Sequence, residues 1–138
     1  MDDKRYRLEI VTPRRTVYAS EVVSFSAPGV MGGFQVLFHH AALLSSLQTG
    51  EVKVVEPDGS EWRYATSGGF VEVRNNTVVL LAETAERSDE IDVTRARAAR
   101  ERANRRLAER APDLDIERAR ASLARALNRL KVAGFRAS

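Results

Sequence analysis

The stretch Thr77–Leu107, TVVLLAETAERSDEIDVTRARAARERANRRL, carries two apolar rhythms in one line. Its first residues, Thr77–Ala82, form a short apolar run entered through the turn pair Asn75-Asn76, the signature of a strand. Beyond about Ala85 the period lengthens to 3.6, with Ala96, Ala99, Ala103 and Leu107 on one helical stripe. The change of period near Arg87 therefore divides the chain into a sheet-forming and a helix-forming part.

Toward the N-terminus the strand signal continues. Tyr6, Leu8 and Ile10 alternate with Arg7 and Glu9, and similar runs occupy Glu21–Ser26, Phe34–Leu37, Glu51–Glu56, Glu61–Thr66 and Phe70–Arg74. Asp58-Gly59 and Asn75-Asn76 stand where tight hairpins need positive φ. Gly68-Gly69 interrupts a strand-like stretch, which predicts a bulge or the close approach of another backbone. Toward the C-terminus a second stripe runs through Ile116, Ala119, Leu123, Leu127 and Leu130. Asp92 and Asp115 occupy N-cap positions, Pro112 breaks the helical pattern and Gly134 ends it. The predicted fold is α+β: a β-sandwich over 1–87, then an antiparallel two-helix hairpin over 88–138. The first helical stripe is mostly alanine and buries little area, so the hairpin is expected to detach readily.

At 138 residues, 43% hydrophobic and 30% charged, the composition is that of a globular chain. No apolar run reaches the roughly 18 residues of a membrane span, and the start MDDKRYR lacks a secretory apolar core. The expectation is a cytosolic chain. The absence of cysteine excludes disulfides, thiolate metal sites and a cysteine nucleophile. Charge is uneven: residues 1–88 hold 9 Lys and Arg against 11 Asp and Glu, residues 89–138 hold 13 against 8. A basic helical half suits an anionic partner or phosphate ligand, or simply a solvated face. Its one aromatic residue is Phe135, so it lacks the set of aromatic residues that stack bases, which argues against nucleic acid.

No catalytic constellation and no metal site is expected. The only histidines, His39 and His40, are adjacent and read as a turn or surface pair, and neither a P-loop nor a G-x-G-x-x-G fingerprint occurs. Arginine spacing carries more information. Arg95, Arg102 and Arg106 share one helix face and Arg125 and Arg129 another. If those faces meet, guanidinium forks converge where they could hold phosphate oxygens.

Several stretches, taken together, resemble the epsilon subunit of F-type ATP synthases, the counterpart of the mitochondrial delta subunit. They are LEIVTP at Leu8–Pro13, SAPGVMGGFQVLFHHAALLSSLQTGEV at Ser26–Val52, SGGFVEV at Ser67–Val73, VVLLAETAERSDEIDVTRA at Val78–Ala96 and RALNRLKVA at Arg125–Ala133. The resemblance implies a non-catalytic rotor subunit that couples proton transport to ATP synthesis. Its sandwich would touch the gamma subunit and the c-ring. Its mobile hairpin would fold down or extend into the alpha/beta head, where Arg97, Arg105 and Arg118 are expected to meet acidic segments and restrain hydrolysis. The complex would lie on the cytoplasmic face of a bacterial plasma membrane.

The same resemblance implies an ATP-sensing alternative around an I-D-x-x-R-A motif, here Ile91, Asp92, Arg95 and Ala96, with Glu86, Arg102, Arg125 and Arg129 in support. No cofactor is required, and ATP would be a regulatory ligand. The rotor-docking positions fall on Gly33, Phe38, His40 and Leu43. Here the chain departs from the family's usual acidic residue and Gly-Val-Leu-Pro-Gly-His turn. Phe38 replaces the proline and, if exposed, would supply an apolar anchor; Ala42 also stands where proline is usual.

Overall fold

A computed structural model describes residues 4–135. The outermost residues of the expected sandwich and hairpin, 1–3 and 136–138, lie outside the described residues. The strands are β1 (Tyr6–Val11), β2 (Thr16–Val22), β3 (Ser24–Gly29), β4 (Gly32–Val36), β5 (Leu43–Leu47), β6 (Gly50–Val55), β7 (Glu61–Thr66), β8 (Gly69–Arg74), β9 (Thr77–Ala82) and β10 (Ala85–Arg87). A 3-10 turn at Ser88–Glu90 leads into helices α1 (Val93–Glu109) and α2 (Ile116–Ala133).

The strands hydrogen-bond in the order β10-β7-β6-β3-β5-β8-β9-β1-β2, with β4 added to β3. Between β3 and β5 the ladder narrows to one pair, Gly29 with Leu47, and there the sheet divides into two layers. Alternation along each strand sends one set of side chains inward. Leu8, Ile10, Val22, Phe25, Val52, Val54, Val71, Val78 and Leu80 lose all contact with solvent. Each such side chain contributes about 1.5–3 kcal/mol. Tyr6 donates its hydroxyl to the Val36 carbonyl, and the half-buried Tyr18 donates to Glu56 Oε2 at 2.6 Å, so these two phenols are satisfied.

The turns have the predicted backbone. Gly59 lies at φ +92°, Asn75 at +51° and Asn76 at +59°. Gly68-Gly69 is both strained and crowded: Gly69 has φ +120°, and a Cβ there would overlap the Leu81 carbonyl of the neighbouring strand. The strand readings need one correction and two additions. The expected run Glu21–Ser26 is the junction of β2 and β3, broken at Val23, whose amide turns to donate to the Val55 carbonyl. β5 and β10 lacked a legible pattern, since Leu43–Leu47 contains two serines and Ala85–Arg87 is three residues long.

Asp92 and Asp115 cap their helices, accepting from the Arg95 and Arg118 amides at 3.0 and 3.1 Å. The left-handed cap falls on Arg110 at φ +48°, whereas Gly134 closes α2 with a right-handed φ of −73°. The helices meet along alanines: Ala96 and Ala103 on α1, Ala119 and Ala126 on α2, each pair seven residues apart and buried. This corrects the expected leucine stripe, for Ile116 and Leu127 are exposed and Leu123 and Leu130 only half-buried. Small residues let the backbones approach closely and leave larger ones at the margin. α2 rests on β6 and β7, and α1 packs on α2. A small second core of Ala65, Ile91, Val132 and Ala133, with Val93 beside it, joins helices to sheet.

Candidate functional site: an arginine-lined cleft

A cleft of about 640 Å³ opens where three segments meet: the turn between β1 and β2, the edge formed by β7 and β10, and the inner face of the hairpin. The first segment is set by Thr12, whose amide donates to the Arg15 carbonyl at 2.9 Å and whose Oγ1 accepts from the Arg14 and Arg15 amides. Both arginines of this turn line the cleft. On the sheet edge, Ser67 and Thr84 hydroxyls lie 2.5 Å apart, and Ala65 and Ala85 supply apolar lining.

The hairpin contributes Arg95, Arg125, Asn128 and Arg129. Arg129 grips Glu86 through both oxygens, Nε to Oε1 at 2.7 Å and Nη2 to Oε2 at 2.9 Å, a fork that ties α2 to β10. Asn128 Nδ2 donates to the Gly50 carbonyl at 2.8 Å. Arg125 reaches the Ser122 hydroxyl at 3.2 Å. Among the described residues, the guanidinium groups of Arg14, Arg15, Arg95 and Arg125 make no ion pair. The walls hold five arginines against two glutamates, Glu83 and Glu86, so the cleft carries a formal +3, as much as the whole chain. Such a concave concentration of one sign focuses its field on an anion.

The sequence-derived nucleotide set divides in this arrangement. Glu86, Arg95, Arg125 and Arg129 line the cleft together. Ile91 and Ala96 are buried in packing and Asp92 caps α1, so these three shape the wall that carries Arg95. Arg102, seven residues beyond Arg95, lies about 10 Å further along the helix and is exposed outside the cleft lining. Arg14 and Arg15 are additions. Their only sequence signal is Pro-Arg-Arg in a turn between strands, and nothing in one dimension places that turn against β7.

The proposed docking residues lie elsewhere. Gly33 is exposed on β4; His40 is half-buried, its Nδ1 2.8 Å from the Ala41 carbonyl oxygen. Phe38 is not an open anchor: it is half-buried and stacks on His39 with ring centroids 3.8 Å apart. Leu43 turns toward the core and its neighbour Leu44 turns out, because adjacent strand residues face opposite ways. Leu44, Phe70 and Leu81, 73%, 53% and 53% exposed, stand on the outer face of the β5-β8-β9 layer, an apolar surface that no part of the described chain covers.

Two family models together span this architecture. Residues 5–88 match the ATP synthase delta/epsilon chain beta-sandwich domain, and residues 89–134 match the delta/epsilon chain long alpha-helix domain. The chain belongs to the ATP synthase delta/epsilon family. Among its relatives, the ATP synthase epsilon chain of Pelotomaculum thermopropionicum is 54% identical over 134 residues, covering 97% of this chain and 99% of that one. The Moorella thermoacetica epsilon chain is 54% identical over 127 residues, covering 92% and 95%. A structure of the Euglena gracilis mitochondrial ATP synthase aligns with TM-score 0.78 at 21% identity, over 90% of this chain and 78% of its own, a likeness of fold. The chain is thus an epsilon subunit of ATP synthase, and no described helix is long and apolar enough to cross a membrane.

Proposed function

We propose that this epsilon subunit is a non-catalytic part of the central stalk, which couples proton transport to ATP synthesis and restrains ATP hydrolysis through its hairpin. The observation that carries the reading is the match of both domain models along residues 5–134 at high identity to whole epsilon chains. The meeting of the two models at 88 and 89 supports a division into a docking sandwich, 1–87, and a regulatory hairpin, 88–138. The uncovered face of Leu44, Phe70 and Leu81 supports docking on gamma, and Gly33 on β4 with the following turn that carries Phe38 and His40 would meet the c-ring. The alanine seam supports release of the hairpin toward the alpha/beta head, where Arg97, Arg105 and Arg118, all exposed, would face acidic segments. The subunit would sit on the cytoplasmic face of a bacterial membrane, held there by the complex.

The test is hydrolysis by the parent rotary complex reconstituted with the full chain or with a version ending at Arg87. Faster hydrolysis with the bound short version is expected; equal rates would remove the brake from the reading.

A second reading, ATP sensing, is favoured by the convergence of Glu86, Arg95, Arg125 and Arg129 on one cleft. Nucleotide held there would keep the hairpin down. Calorimetry with millimolar ATP on the wild type and on Arg125→Ala decides it: binding weakened by the substitution is expected, and no heat from either would end this reading.

A further inference from the structure

We propose that Arg14 and Arg15 form a polyphosphate clasp on the sandwich side of the cleft, so that a triphosphate bound there links the sandwich directly to the hairpin. The proposal rests on the nucleotide reading for the base and sugar, and adds the wall that reading lacks.

Three observations carry it. Of the three described hairpin arginines that line the cleft, Arg95 and Arg125 have guanidinium groups outside ion pairs, whereas Arg129 is already held at both ends of its fork by Glu86. One phosphate occupies about one such fork or two, whereas four open guanidiniums on opposing walls match a chain of phosphates. Second, the β1-β2 turn is not a loose loop: Thr12 takes both arginine amides through Oγ1 and closes the turn backbone, which fixes where the side chains start. Third, the charge is unbalanced. With Glu86 neutralised by Arg129, Glu83 alone faces four arginines, and clustered like charges are relieved by a multivalent anion far better than by a monoanion.

The arrangement has a mechanical consequence. Asn128 and Arg129, with the small core around Ile91 and Val132, are among the few contacts tying the hairpin to the sheet. A ligand touching only the hairpin would stiffen it without fastening it down. A triphosphate spanning Arg14 and Arg15 on one wall and Arg95 and Arg125 on the other adds bonds across the boundary that opens, and loses them all when it opens. Phosphate number would then decide how firmly the hairpin stays folded.

The experiment is calorimetry on the full chain at fixed salt with ATP, AMP and inorganic tripolyphosphate, comparing wild type with Arg14→Gln/Arg15→Gln. Lys53→Gln/Arg74→Gln, away from the cleft, removes the same charge as a control. Losing charged hydrogen bonds should weaken ATP about tenfold or more, leave AMP unaffected and spare the control. Equal ATP affinity in the wild type and Arg14→Gln/Arg15→Gln, or an equal loss in the control, overturns the clasp while leaving the nucleotide reading standing. If the wild type takes up no ATP, the nucleotide reading falls, and tripolyphosphate decides the clasp: binding that the double substitution abolishes supports it, and no binding or no change overturns it.

Discussion

Tyr6, Tyr18 and Tyr64 are all the tyrosines of the chain, and burial raises the ionisation of each phenol above its ordinary value. For Tyr64 burial pushes it up to about 12, against a smaller opposing pull from Arg87. For Tyr18 the hydrogen bond to Glu56 and that carboxylate's charge add to the effect of burial. The neutral phenols favour the folded state. That stability is fully present below about pH 10, where unfolded tyrosine ionises, and is lost as pH rises toward the folded values. The expected result is that no tyrosine titrates in the ordinary range. Phenolate absorbance should appear in one cooperative step with loss of near-ultraviolet dichroism, and a separate non-cooperative step near pH 10 would show that at least one ring is open to solvent.

At the scale of elements the hairpin depends on how closely its helices approach. Ala103 is buried in the seam between the helices, so Ala103→Leu should cost about 1–3 kcal/mol by overpacking. The loss should fall on the hairpin. Trp62, the only tryptophan, packs against the sandwich core with the Arg87 guanidinium 4.9 Å above its ring, and reports the sheet. Helical dichroism in Ala103→Leu should therefore melt earlier while the Trp62 signal keeps its wild-type midpoint, and an unchanged helical transition would deny the seam its role. The same seam marks the limit of the sequence pattern. Period alone announced two helices with their aspartate caps, and paired turn residues announced the hairpins of the sheet. Which stripe residues meet was not legible, because hydrophobicity favours Leu127 for burial while the interhelical distance selects Ala126. β5 was hidden by serines and β10 by its length. Within the candidate site, helical spacing put Arg125 and Arg129 together, whereas Arg14 and Arg15 join through a contact far apart in sequence that no local period encodes.

Across the whole molecule the two parts differ in how they are held. The sandwich interdigitates fully buried valines, leucines, isoleucine and phenylalanine from both layers. The hairpin has alanines inside, the four-residue core at Ile91, the Glu86–Arg129 fork, and at its far end the Arg63 guanidinium 4.6 Å over the Phe135 ring. Polar and cation-ring contacts at a half-exposed boundary exchange readily with water, whereas apolar area of the sandwich's extent does not. Native-state hydrogen exchange should therefore resolve two opening free energies, with α1 and α2 amides opening about 2 kcal/mol or more below those of β1, β8 and β9. The gap should narrow when a triphosphate is bound, and most for amides beside the cleft, because that ligand strengthens only the boundary it spans. A single opening free energy shared by both parts would make them one cooperative unit, and a hairpin that cannot open without unfolding the sandwich could not act as a brake.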